Sequence, residues 1–229
     1  DTQSVYDKIK GFIDKYNTIV DEIQTKLTEK KDSSYKPLTT AQKASMSDSQ
    51  ITAWETKAKV GILRNDDNLQ KMLNDLRSAF TTKVANTGIS IGSYGSSSFG
   101  IDTSSDYSTP GHIDITDETK LKNAISNNCD QVLKLFTNVS SSTDSSTYNS
   151  SSTKYNEDGI FTRVNKILQN NVGYTNTTLN SAILTSYANK QYDYSTTGTA
   201  GKNTLPDQIY EQKLLITKIT DSMSADKEK

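Results

Sequence analysis

Cysteine occurs once in 229 residues and histidine once, and no apolar run approaches the roughly 18 to 20 residues needed to cross a bilayer. The lone Cys129 cannot form an internal bridge and there is no C-x-x-C, which excludes a disulfide framework and a cysteine-based zinc site. The first residues, Asp1-Thr2-Gln3-Ser4, are not the basic and apolar opening of a secretory signal. An excess of one charge is missing too. The 26 Lys+Arg face 27 Asp+Glu for a net −1, with no basic block to mark a nucleic-acid or anionic-membrane surface. Large apolar residues are scarce: Leu, Ile, Val and Phe number 46 of 229, about a fifth, at the edge where chains stop folding alone. What abounds is polar and uncharged, with 29 Ser, 30 Thr and 18 Asn. A domain with a thin core is the expectation, its stability coming from packing alone.

The apolar residues are not scattered evenly. Val5, Ile9, Phe12, Tyr16, Ile19, Ile23 and Leu27 recur at spacings of three and four, predicting a helix over about 5–28 whose seam Ile13 and Val20 widen. Pro37 opens a loop after a lysine-rich stretch. Ser47 with Gln50 reads as a capping box for a helix over about 47–60 that carries Ile51, Trp54 and Ala58 and ends at Gly61. Leu69, Met72, Leu73, Leu76, Phe80 and Val84 mark another over about 66–85. Between 88 and 116 the period changes. Ile89 and Ile91, then His112-Ile113-Asp114-Ile115, alternate with polar neighbours and predict a small antiparallel β element. Thr116 is placed to cap a helix over about 117–136, broken near Asn127-Asn128. Residues 140–153 hold nothing to bury and predict a mobile loop. A helix over about 160–188 kinks at Gly173, a second loop covers 192–204, and a last helix over about 206–224 carries Leu205, Ile209, Ile216, Ile219 and Met223 in a seam matching the first. The fold class is therefore mainly α: one domain, an antiparallel helical bundle with long heptad-like terminal helices and a small antiparallel β element around 88–116. The terminal seam residues Ile9, Phe12, Tyr16, Ile19, Ile23, Ile209, Ile216, Ile219 and Met223 are expected to pair.

Catalytic chemistry finds little support. His112-x-Asp114 is the nearest thing to a catalytic or metal pair, but a metal site needs three or four ligands, and an idle surface histidine is the better reading. Gly95-Ser96-Ser97-Ser98-Phe99-Gly100 fails the nucleophile-elbow form. The glycines 88, 92, 95 and 100 make no phosphate-binding loop. Asp102 to Asp114 lacks the spacing and closing Glu of a calcium loop. The sequons at Asn138, Asn149 and Asn176 arise by chance in such a composition. Cys129 reads as a small buried hydrophobe, and Tyr16 and Trp54 as core aromatics. No catalytic residue, metal or cofactor is expected.

Several motifs together carry a resemblance. Phe12-Ile13-Asp14-Lys15-Tyr16-Asn17-Thr18-Ile19 is followed by Pro37-Leu38 and then by the most specific stretch, Met46-Ser47-Asp48-Ser49-Gln50-Ile51 through Trp54-Glu55-Thr56-Lys57-Ala58-Lys59-Val60-Gly61-Ile62-Leu63. Further on come His112-Ile113-Asp114-Ile115, Lys120-Leu121 with Ala124-Ile125, and Leu135-Phe136 with Gly159-Ile160-Phe161. This pattern, over nearly the whole chain, resembles the C-terminal region of the flagellar filament cap family (hook-associated protein 2, FliD), with Tyr16, Asn17, Gln50, Trp54, Gly61, Asp114, Leu121 and Phe136 among the matching positions. The spacer between Tyr187 and Leu205 departs from the pattern, and the family's N-terminal half is absent. The resemblance implies a helical leg-type domain of a secreted, non-enzymatic homo-oligomeric cap ring at the flagellum tip. Its partners would be flagellin subunits and hook–filament junction proteins, with no nucleic acid and no membrane insertion. The alternative is an extracellular adhesin whose Ser/Thr-rich loops touch host mucus or glycans, and a membrane-inserting toxin lacks the apolar segment it needs.

Overall fold

The computed structural model describes residues 1–92, 94–173, 181–186 and 216–218. The chain divides into two compact units, Asp1–Ile167 and Leu168–Lys229. The described residues are mainly helical with one two-stranded antiparallel sheet.

Helix α1 (Thr2–Thr28) starts at Asp1, whose carboxylate accepts the Gln3 amide. Its buried residues are Tyr6, Ile9, Ile13, Tyr16, Val20, Ile23 and Leu27, alternating three and four apart. The face is thus centred on Ile13 and Val20, and Phe12 and Ile19, expected within the seam, are half-buried flanks. The rotation has a cause: the helix packs on three later elements, α4, α5 and β2. Two short helices follow, α2 (Thr40–Ala44) and α3 (Asp48–Ala58), each opened by a complete capping box, Thr39 with Gln42 and Ser47 with Gln50. Neither buries a residue, so the stretch that carries the most specific motif lies on a surface arm.

Helix α4 (Asp67–Thr81), capped by Asp66, turns Leu69, Met72, Leu73, Leu76, Ala79 and Phe80 inward. The sheet pairs β1 (Ile101–Thr103) with β2 (Ile113–Ile115) in the register Asp102 opposite Asp114. The strand expected at Ile89 and Ile91 is not the partner; Ser90 makes only an isolated bridge to Ser98. Gly100 explains the choice. Its φ is +91° and the missing Cβ would lie 2.2 Å from the Asp117 carbonyl oxygen, so the chain turns there, and its own carbonyl accepts the amides of Thr116 and Asp117.

Helix α5 (Glu118–Asn127) is capped by Asp117, not Thr116, through the Lys120 amide. The expected single helix over 117–136 is two, because Asn128 adopts φ −133° and ψ 41° and starts α6 (Cys129–Thr137) on a new axis. Cys129, at the first position of α6, is exposed rather than buried. Residues 140–153 do bury side chains. Ser140 and Ser152 are buried, Ser152 caps a further short helix α7 (Thr153–Glu157), and Ser142, Asp144 and Asn149 each accept an amide two residues ahead or support one. Helix α8 (Ile160–Asn171) stops well short of 188, with Gly173 at φ +68° beyond its end.

The five phenylalanines of the chain all join one core. Phe12 meets Phe161 at 4.3 Å and Phe80 at 5.9 Å, Phe161 meets Phe136 at 4.9 Å, Phe136 meets Phe99 at 6.2 Å, and the Tyr16 ring lies 4.5 Å from Phe80. A chain poor in large apolar residues holds its first unit together by concentrating its aromatics where α1, α4, α6 and α8 converge. The buried Phe80, Phe99 and Phe136 rings each contribute about 3–5 kcal/mol against truncation to alanine.

Candidate functional site: a clamp on the β-hairpin turn

The motif pair Tyr16-Asn17 faces the turn that leads into β2. The Asn17 amide makes two hydrogen bonds to one residue: its Nδ2 donates to the Ile113 carbonyl at 2.9 Å and its Oδ1 accepts the Ile113 amide at 2.9 Å. Ile113 pairs across the sheet with Thr103 at a position whose own backbone groups point away from β1. Asn17 therefore takes the place of a third strand, one residue long. The Tyr16 hydroxyl donates to the Gly111 carbonyl at 3.2 Å, and the phenol, pushed up in pKa chiefly by burial, stays protonated to do so. Gln24 Nε2 donates to the Pro110 carbonyl, which also accepts from Arg77 Nη2 at 3.0 Å. Gly111 sits at φ +90°, a backbone conformation that favours glycine, and a Cβ there would displace the Arg77 guanidinium from the turn.

His112 completes the clamp. Its Nε2 lies 2.6 Å from Asp21 Oδ1 with its side chain only 14% exposed, which corrects the idle-histidine reading. The partner was invisible because it stands 91 positions away. The turn 110–113 is thus held from α1 by Tyr16, Asn17, Asp21 and Gln24, residues that lie on adjoining faces of one helix, and from α4 by Arg77.

The other motif positions are used structurally. Gln50 closes the α3 capping box. Trp54 lies on the arm rather than in the core. Its Nε1 donates to the Lys36 carbonyl at 2.8 Å, and Tyr35 meets its ring edge-on at 4.9 Å with Lys57 over the Tyr35 face. Gly61 has φ +75°, and its missing Cβ would lie 2.7 Å from the Lys31 amide nitrogen; a side chain there would push the arm off the end of α1. Leu121 and Phe136 are core residues, and Asp114 borders an open groove between α1 and β2. Of the terminal seam, Ile9, Tyr16 and Ile23 are buried within the first unit, and Ile216 lies in the helical stretch 216–218 and is 62% exposed. Ile209, Ile219 and Met223 lie outside the described residues.

One buried polar centre escaped sequence reasoning. Arg163 of α8 is fully buried and spends all five N–H donors on backbone carbonyls: Tyr155 at 2.8 Å, Ala79 at 3.2 Å, Thr82 at 2.6 Å, Lys83 at 3.2 Å and Asn156 at 3.1 Å. It closes the C-terminal ends of α4 and α7 together, where carbonyls lack intrahelical partners. Beside it buried Asp158 accepts from Lys166 Nζ at 2.6 Å, the Tyr148 hydroxyl at 2.7 Å and the Ser140 amide at 2.8 Å. The only sequence signal was an arginine among the apolar positions of an amphipathic helix. Among the described residues no three His, Cys, Asp or Glu are grouped to hold a metal ion, and no helix is long and apolar enough to cross a membrane.

A family model described as "Flagellar hook-associated protein 2 C-terminus" matches residues 1–229. The chain belongs to this family. Two curated relatives, both named flagellar hook-associated protein 2, are similar to it: one from Halalkalibacterium halodurans is 33% identical over 142 residues, 62% of this chain and 26% of the relative. The other, from Thermotoga maritima, is 30% identical over 136 residues, 59% of this chain and 20% of the relative. The chain therefore spans about a quarter or less of the curated relatives it matches. No solved structure matches it.

Proposed function

We propose that this chain is the C-terminal part of a filament-capping protein of the bacterial flagellum, exported through the flagellar apparatus and placed at the filament tip. There it acts as a non-enzymatic, homo-oligomeric structural cap that promotes folding and insertion of exported flagellin, its partners being flagellin subunits and the hook–filament junction proteins. The family match over the whole chain carries this reading. In the structure the motif residues hold a turn, an arm and a core, which fits a scaffolding part. A small aromatic core without disulfides also suits a chain that must unfold to pass an export channel, since native domains lie only about 5–15 kcal/mol below the unfolded state. The adhesin alternative gains nothing from either relative's name. Immunogold labelling of whole cells with antibodies to this chain tests the reading. Gold confined to filament ends is expected; gold along the filament length, or on the cell envelope alone, would overturn it.

A further inference from the structure

The arm between α1 and α4 has helices and caps of its own but no interior. Leu27 and Leu69 are buried at its two ends, and no residue from 28 to 68 is. Its side chains Leu38, Met46, Ile51 and Trp54 are half-buried, and Val60, Ile62 and Leu63 are exposed. Order there comes from polar contacts instead. Beyond the two capping boxes, Trp54 Nε1 donates to the Lys36 carbonyl, Lys57 Nζ donates to the Tyr35 hydroxyl at 3.0 Å, and Lys43 pairs with Glu55. Each of these contacts closes within the arm.

The base of the arm is closed at the C-terminal end of α1. The Asn65 amide donates to the Leu27 carbonyl at 3.1 Å, the Gly61 amide donates to Glu29 Oε2 at 3.3 Å, and Gly61 lies against the backbone of Lys30 and Lys31. Asn65 sits at φ +55°, a left-handed conformation free to relax once its tie to Leu27 is broken. Among the described residues no ion pair joins 30–64 to the core of the first unit.

Buried apolar contacts are what tie a segment to the global unfolding of a domain, and segments that lack them open at lower free energy. Nor can the helices of the arm stand alone. With 5 and 11 residues, α2 and α3 fall below the roughly 12–15 at which isolated helices become even marginal in water. Lifting the arm from α1 therefore unfolds it. We infer that residues 30–64 form a separate opening unit, which unfolds when its ties to the end of α1 break while the aromatic core and the hairpin clamp stay folded. Open, the arm carries the exposed Val60, Ile62 and Leu63 over a range of positions instead of one, so it can meet a partner without any movement of the core. This inference rests on the fold and not on the capping function.

The single tryptophan of the chain, Trp54, lies on the arm, so its fluorescence reports arm opening directly. The test is a urea titration of the 229-residue chain followed by Trp54 fluorescence and, in parallel, by hydrogen exchange of the α4 amides. The fluorescence midpoint is expected at least about 1 M urea below that of α4. Without urea, the α3 and Asn65 amides should exchange at least about a hundredfold faster than those of α4. Two variants separate the units. Gly61→Ala should lower the Trp54 midpoint and leave α4 unchanged, whereas the conservative core change Phe80→Leu should lower the α4 midpoint and leave Trp54 unchanged. In a single cooperative unit every variant moves both probes together. Coincident transitions, both probes shifted equally by either variant, or α3 amides as slow as those of α4 would each overturn the inference, whatever immunogold labelling shows of the capping function.

Discussion

Replacing Asn17 by alanine removes both bonds of the one-residue strand at once. The Ile113 amide and carbonyl, each held at 2.9 Å in a half-buried position, would be left without partners. An unsatisfied backbone group away from water costs about 1–3 kcal/mol, so two partly shielded groups cost about 3 kcal/mol. Alanine returns about 0.6 kcal/mol through its better helix propensity, leaving a net loss of about 2 kcal/mol. For a chain of this size that lowers Tm by about 4–8 °C. Asn17→Asp sharpens the test: the carboxylate still accepts the Ile113 amide but turns its other oxygen on the Ile113 carbonyl, so at neutral pH it should be at least as destabilised as alanine. Protonated in acid, it regains a donor, and its deficit against wild type should shrink. Urea unfolding gives the free energies, and hydrogen exchange at the Ile113 amide reports the bond itself. Asn17→Ala within about 0.5 kcal/mol of wild type, with the Ile113 amide still protected, would refute the clamp.

Other perturbations follow from the same geometry. Arg163→Lys keeps the charge but offers three donors for five carbonyls; a loss of about 3–5 kcal/mol in chemical unfolding is expected, close to that of Arg163→Met. Gly61→Ala forces a Cβ to 2.7 Å from the Lys31 amide nitrogen at φ +75°; it should release the arm, read as faster hydrogen exchange at Asn65 with little change at Ile113. In alkali, Tyr16 and Tyr148 hold their protons to higher pH in the fold than in the unfolded chain, chiefly because they are buried. Below about pH 10 both states are protonated and stability is flat on their account. Above it the unfolded chain loses protons first, so stability should fall as pH rises, and tyrosinate absorbance should appear together with unfolding.

The helical stripes were legible because they depend on neighbours three and four residues away. The Ser47–Gln50 capping box and the α4 face are local features; the box stands as read, and the face does from Leu69 to Phe80, with Val84 lying beyond the helix end at Thr81. What the sequence hid is long-range. Ile101 rather than Ile89 pairs across the sheet because Gly100 turns the chain against Asp117, a contact no local pattern contains. His112 finds Asp21, and Arg163 finds the end of α4, across 91 and 84 positions. The Ser/Thr-rich stretch from 140 to 153 looked empty of anything to bury, yet the Ser140 amide and Tyr148 hydroxyl satisfy Asp158, the Ser140 hydroxyl donates to Glu157, and the Ser152 hydroxyl caps a helix. Composition measures how much apolar surface a chain can bury, not how many hydrogen bonds its hydroxyls can close. Of the clamp itself, Tyr16, Asn17 and His112 stood in the motif stretches; Asp21, Gln24, Arg77 and Gly111 became visible only in the fold.

Deletion of the gene encoding the parent protein tests the capping account most directly, with filaments examined by electron microscopy and flagellin measured in the medium. The account predicts short or absent filaments and unpolymerised flagellin outside the cell, both reversed by the wild-type gene. Filaments of normal length and number in the deletion strain, with no free flagellin, would contradict it.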